Sequence, residues 1–91
     1  GYTEFDNQTQ NYTFRNLDGK TAIITRAADF AAATGMLIVC SAGNEGNGAW
    51  QKIGAPADAD SVIAVGAVTA SQAKASFSSF GPSFDRRIKP E

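Results

Sequence analysis

Asn44 stands where an apolar run gives out. Residues 36–40 read Met-Leu-Ile-Val-Cys and residues 41–46 read Ser-Ala-Gly-Asn-Glu-Gly. A side-chain amide can donate two hydrogen bonds, and open α/β sheets bind their ligands at the carboxyl ends of strands. An asparagine at such an end can therefore serve as a donor to a bound group. Ser41, Ala42 and Gly43 keep side-chain bulk off the backbone just before it, so that another chain could lie alongside. The remaining candidates for chemistry are weaker. The sequence holds no histidine, so a Ser-His-Asp triad cannot be assembled within it. Its serines match no nucleophile motif and read as structural. Asp58, Asp60 and Glu45 show no metal-ligand spacing. Cys40, the single cysteine, can form neither an internal disulfide nor a zinc site and reads as a small buried hydrophobe.

The elements that would position Asn44 follow from the pattern on either side. The unalternating apolar run predicts a strand near 36–41 buried on both faces, as in a parallel sheet between helix layers. A second β-branched run predicts another strand near 62–68. Upstream, the alanine-rich stretch 22–34 predicts a helix within 20–34, opened by Asp18 or Thr21 and closed by Gly35. Ile23, Ala27, Phe30, Ala31 and Thr34 share one helical face, expected to pack on the sheet, with Arg26 and Asp29 toward water. Helix, strand, loop and strand in this order fit a parallel α/β layer, with the two strands as neighbours.

The flanking stretches are less regular. Residues 1–16 are polar and aromatic without a period; Tyr2, Phe5, Tyr12 and Phe14 need something to pack against. Asn7-Gln8-Thr9 and Asn11-Tyr12-Thr13 fit the short, frequent glycosylation pattern. Trp50, in a glycine-rich loop, suits either a packing plug or a binding residue. Gly54 and Pro56 bracket a tight turn. Residues 69–74 are polar, and residues 88–91 look like the approach to a further strand.

Composition bounds the rest. Ninety-one residues suit one small domain or part of a larger one. A chain of this length buries only about 60–65% of its unfolded surface, so a lone core is marginal. A net charge of −1 gives no electrostatic reason to expect nucleic acid or an anionic membrane. The basic residues Arg86, Arg87 and Lys89 form too short a cluster to change that. No apolar run reaches the ~18–20 residues of a membrane span. The sequence does not begin with Met and shows no signal peptide.

The stretch 41–46 resembles the oxyanion-hole segment of subtilisin-like serine proteases (subtilases, peptidase S8). Three further stretches agree with it in order: Ile53-Gly54-Ala55-Pro56, the run Ser-Val-Ile-Ala-Val-Gly-Ala-Val at 61–68, and Ala-Ser-Phe-Ser-Ser-Phe-Gly-Pro at 75–82. The likeness is good over 22–82 and poor over 2–20, a stretch that would be a family-variable insertion. It implies an α/β chain that forms part of a three-layer parallel-sheet fold. Residues 1–91 would be the central part of a peptidase domain whose aspartate, histidine and serine motifs lie outside this chain. Asn44 would then donate from its amide to the oxyanion formed on a peptide carbonyl. Ser41, Ala42 and Gly43 would form one wall of the pocket for the side chain preceding the scissile bond, and Gly54 its floor, leaving a deep apolar pocket. Gly1 would fall in the strand-end segment that forms one wall of the substrate cleft, and Tyr2 would follow it along that wall or be an ordinary surface aromatic. Glu45 would sit at the pocket rim, where it favours basic side chains or is simply exposed. A Gly-X-Pro turn at this point often carries a cis proline, so Ala55–Pro56 is expected to be cis.

The same likeness implies a peptide or protein substrate, the rest of the protease domain as partner, and a secreted, cell-surface or periplasmic location. It implies no cofactor; family members often bind calcium, but no ligand cluster is visible here. With flanking strands missing, sheet edges would stay unpaired and the chain alone would associate with itself. Two readings from other classes compete with a peptidase. One is a non-catalytic pseudoprotease or binding module of the same fold, which the flanking sequence would separate by its serine and histidine motifs. The other is an unrelated nucleotide-binding α/β domain, against which the absence of a phosphate-loop pattern counts.

Overall fold

The computed structural model describes residues 3–91. Its regular elements are one helix, α1 (Ile23–Ala33), and two strands, β1 (Ile38–Ser41) and β2 (Val62–Val65), preceded by 3₁₀ turns at Gln8–Gln10 and Phe14–Asn16. The strands pair in parallel, with Ile38 opposite Val62 and Ser41 opposite Val65. Helix, strand type and parallel neighbourhood are those expected from the sequence, with each element shorter than its apolar run. Trimming has local causes. The Asp18 carboxylate accepts from the Lys20 and Thr21 amides at 2.9 and 3.0 Å. That holds 18–21 as a turn, and the helix begins only after Ala22. At its other end Gly35, at φ +104°, lets the chain reverse. The Gly35 and Met36 amides return to Ala32 and Ala31, a Schellman closure that satisfies the last helical carbonyls.

The helix does not pack as its apolar stripe predicts. Ile23 and Phe30 are 71% and 74% exposed, and Ala27 is exposed as well. The inward face is instead Ala22, Thr25, Asp29 and Ala32, on the opposite side of the cylinder. Small residues let α1 come close, and two polar groups supply what apolar bulk would have. Thr25 Oγ1 donates to Asp58 at 2.6 Å. Asp29, expected in water, accepts from the Ser61 and Asp60 amides at 2.7 and 3.3 Å and so holds the entry to β2.

The sheet is likewise covered on one face only, against the expectation of burial on both. Ile38, Cys40, Val62 and Ala64 turn inward, while Val39, Ser41, Ile63 and Val65 are exposed. Cys40 and Ala64 meet Ala42, Ile53 and Ala57 in one small core. A second core gathers Leu17, Ala22 and Ala55, with Tyr12, Phe14, Ile24 and Trp50 against it. Three aromatics of the N-terminal stretch thus find partners: Phe14 packs on the second core, Tyr12 meets Phe5 edge-on at 5.1 Å, and the Tyr12 hydroxyl accepts from the Ile23 amide. The far edge of β2 is occupied by the chain's last residues. The Glu91 amide donates to the Ala64 carbonyl, and the buried Lys89 ammonium donates to that of Val62.

Parallel strands need a long crossover, usually helical. Here residues 42–61 make it as an irregular loop, and a long ordered loop on a rigid scaffold is where function concentrates. One buried carboxylate ties this loop to everything around it. Asp58 is fully buried and accepts from the Gly19 amide as well as from Thr25. Its own carbonyl takes a 2.6 Å hydrogen bond from Arg87 Nη2. Burial pushes its carboxyl above the ordinary value, against the pull of the Thr25 and Gly19 hydrogen bonds and of the Arg87 charge.

Candidate active-site cleft

The last ladder bond of the sheet runs from the Ala42 amide to the Val65 carbonyl at 2.8 Å. Beyond it the chain must leave the strand, and Gly43 makes the turn at φ +112°, a conformation that a side chain disfavours. Space forbids one there as well: a Cβ would lie 2.9 Å from Ser79 Oγ. The loop that follows is stitched to segment 77–80. Ser79 donates its amide to the Gly43 carbonyl at 2.9 Å, and Ser79 Oγ accepts from the Glu45 amide at 3.0 Å. The Gly46 amide reaches the Phe77 carbonyl at 2.8 Å. A Cβ on Gly46 would fall inside van der Waals contact of the Ser78 carbonyl, so this crossing too requires glycine. The far wall is attached the same way: the Gly54 amide donates to the Ala42 carbonyl at 3.1 Å, and the Ile53 amide to the Phe80 carbonyl at 3.0 Å.

Between these walls lies a cleft of about 330 Å³, lined by residues 40–45 and 54–56. It brings together Ser41, Ala42, Gly43, Asn44, Glu45 and Gly54, all singled out from the sequence. Gly1 and Tyr2, the two others, lie outside the described residues. Asn44 is exposed, and among the described residues its carboxamide has no hydrogen-bond partner. Its two N–H bonds are therefore available to a guest in the cleft. Gly54 has no neighbour within 4 Å of where a Cβ would stand, so the absence of a side chain there leaves the cleft open. Glu45 is exposed at the rim and also borders a smaller hollow of about 180 Å³, shared with Thr3, Glu4, Trp50 and Gly54. Trp50 combines both of its sequence readings. It packs on the second core and donates Nε1 to the Ile53 carbonyl, and its ring lines the hollow. The Ala55–Pro56 peptide is cis, as expected, and so are Gly81–Pro82 and Lys89–Pro90.

Sequence reasoning missed Cys40, Ala55 and Pro56 as lining residues, and Ser79 as a support. Burial raises the Cys40 thiol above its ordinary value, which disfavours the nucleophilic thiolate. Among the described residues no three His, Cys, Asp or Glu side chains converge. Nor, among them, is any helix long and apolar enough to cross a membrane. What the cleft offers is a neutral hydrogen-bond donor at a strand end, beside a groove walled by small residues.

Comparison with known proteins gives this geometry a family. The sequence matches the Subtilase family, peptidase S8, over residues 5–91. It is 47% identical over 72 residues to subtilisin DY of Bacillus licheniformis, covering 78% of this chain and 26% of that protein. To subtilisin E of Bacillus subtilis strain 168 it is 46% identical over 68 residues, 74% of this chain and 18% of that protein. To a subtilisin of Bacillus pumilus it is 44% identical over 68 residues, 74% of this chain and 24% of that protein. No solved structure matches the chain. The chain belongs to the subtilase family of serine proteases, and it spans about a fifth to a quarter of the length of these relatives.

Proposed function

We propose that residues 1–91 are the central part of the catalytic domain of a serine endopeptidase, and that they supply its oxyanion donor and part of its substrate pocket. The observation that carries this reading is the setting of Asn44: an exposed amide with no partner among the described residues, at the carboxyl end of a parallel strand, over a cleft. When a peptide carbonyl is attacked, its oxygen gains negative charge. A preorganised donor aimed there stabilises the transition state more than the ground state. Ser41, Ala42 and Gly43 then form the wall along which the substrate backbone runs. Gly54 leaves the floor open for a large apolar side chain, and Glu45 at the rim attracts a basic one. The triad itself comes from outside this chain, whose lack of histidine leaves it without the general base. By family we assign the enzyme to a secreted, cell-surface or periplasmic location, which fractionation of the source cells checks.

The test is hydrolysis by the parent protein, carrying its flanking sequence, of peptide anilides with phenylalanine before the scissile bond. Turnover blocked by a serine-directed phosphonate is the expected result. A folded parent that binds these peptides without cleaving them, and lacks the serine or histidine motif, establishes the pseudoprotease alternative instead.

The partner of this segment is the rest of its domain. The uncovered face of Val39, Ile63 and Val65, beside exposed Met36 and Leu37, supports that reading, since an apolar surface of this kind calls for cover. Taken alone, the 91-residue chain should associate with itself, as expected from the sequence, but through this face, since the far edge of β2 is already occupied by residues 89–91. Light scattering at high concentration should report species heavier than the monomer; a strictly monomeric chain refutes the expectation.

A further inference from the structure

We infer that Ser79 is a positioning residue for Asn44. This rests on the reading of Asn44 as the oxyanion donor and goes one step behind it. A donor must sit within about 0.5 Å of its productive place to be worth its full effect. The Asn44 carboxamide has no partner among the described residues to hold it, so its position is set by the backbone beneath. That backbone is gripped by one residue. The peptide before the Asn44 Cα carries the Gly43 carbonyl, which accepts from the Ser79 amide at 2.9 Å. The peptide after it carries the Glu45 amide, which donates to Ser79 Oγ at 3.0 Å. Ser79 thereby fixes both planes that flank Asn44, and with them its φ and ψ. The grip is itself anchored: Ser79 is 1% exposed, and the Phe80 amide, next along the chain, donates to the Gln51 carbonyl at 3.1 Å. Gly43 is a glycine partly because the hydroxyl comes so near. Ser78, its neighbour, is equally buried; its hydroxyl accepts from the Ala67 amide at 3.0 Å and donates to the Ser79 carbonyl at 3.2 Å, and it makes no hydrogen bond to residues 43–45.

Alanine at 79 leaves the Glu45 amide free to swing, and displacements of about 1 Å at a reacting centre can cost up to 10²-fold. In the parent peptidase, Ser79→Ala should lower kcat about tenfold and leave KM within about twofold. Ser78→Ala loses buried hydrogen bonds to the Ala67 amide and the Ser79 carbonyl but none to residues 43–45, and should leave kcat within about twofold. In an Asn44→Ala background, Ser79→Ala should slow the enzyme no further than about twofold, since the group it positions is gone. If Asn44→Ala alone leaves kcat unchanged, the oxyanion reading falls, and the role of Ser79 with it. If Asn44→Ala lowers kcat while Ser79→Ala does not, or while the Ser79→Ala loss persists in the double variant, the oxyanion reading stands and the inference about Ser79 is overturned. Amide hydrogen exchange covers the case in which Ser79→Ala does not fold. In the unmodified protein the Glu45 amide should exchange at least about tenfold more slowly than that of Asn44. Protection upholds the grip; equal rates overturn it.

Discussion

Asn44→Ala in the parent peptidase should, if the proposed oxyanion role holds, lower kcat by about 10²–10³ with little change in KM, the magnitude known for an oxyanion-hole asparagine of a subtilisin in this same family and carried over from there. The split between the two constants follows from the chemistry. The ground-state carbonyl is a weak acceptor, whereas the tetrahedral intermediate carries a full negative charge on the same oxygen. A donor aimed at that oxygen is therefore felt in the transition state and hardly in binding, so kcat and kcat/KM fall together. The setting makes the amide suited to this. It is not engaged by any described residue, and it stands at the end of a paired strand, on a loop pinned at Gly43, Glu45 and Gly46. Alanine removes both N–H bonds and adds nothing to the cleft. Asn44→Asp should be worse still, because a carboxylate places like charge beside the developing oxyanion. Stopped assays on a peptide anilide decide the matter. A loss of less than about threefold would sink the assignment, since no preorganised donor of this kind is worth so little.

The largest effect on stability is expected at Asp58, which does not line the cleft. Asp58→Ala should cost about 2–4 kcal/mol, because the Gly19 amide and the Thr25 hydroxyl each lose a buried acceptor. Against the 5–15 kcal/mol typical of whole domains, that is a large share. Asp58→Asn should cost less, since one amide oxygen can still accept from Gly19 while its nitrogen donates to the Thr25 oxygen. The two variants differ with pH in a stated direction. Burial raises the Asp58 carboxyl above its ordinary value in the fold. The native state therefore holds this proton more tightly than the unfolded chain. The stability linked to it is complete below the unfolded value and is lost as pH rises through the folded one. The advantage of the native aspartate over asparagine should accordingly grow as pH falls from neutrality toward the ordinary carboxyl range. Urea unfolding at several pH values measures both claims. A loss below about 1 kcal/mol for the alanine variant, or an advantage that shrinks on acidification, contradicts them.

Much of the cleft was legible in the sequence because its features are local. Gly43 is a demand of backbone geometry, with its positive φ and the Ser79 hydroxyl where a Cβ would stand, and such a demand leaves a residue type that can be read from one position; the pocket places of Ser41, Ala42 and Gly54 were expected from the family resemblance. Gly35 marked the helix end for the same reason: its positive φ disfavours side chains. The parallel pairing of β1 and β2 followed from the order of helix, strand, loop and strand, which fits a parallel α/β layer.

Which face of an element is buried was another matter. The stripe of Ile23, Ala27 and Phe30 has the stronger apolar pattern, yet α1 turns Ala22, Thr25, Asp29 and Ala32 inward. The pattern recorded that the helix has an apolar side, not which side this chain covers. That was decided by partners more than thirty positions away, Asp58 for Thr25 and Ser61 for Asp29. The strands show the same limit, since unalternating runs imply two covered faces and only one is covered here. Ser79 makes the case most simply. In sequence it is a serine among serines; its role exists only because the fold lays residue 79 across residues 43–45 and places one amide and one hydroxyl on either side of Asn44. Local backbone requirements are written in residue types, whereas a hydrogen bond between distant segments is written only in the packing that brings them together.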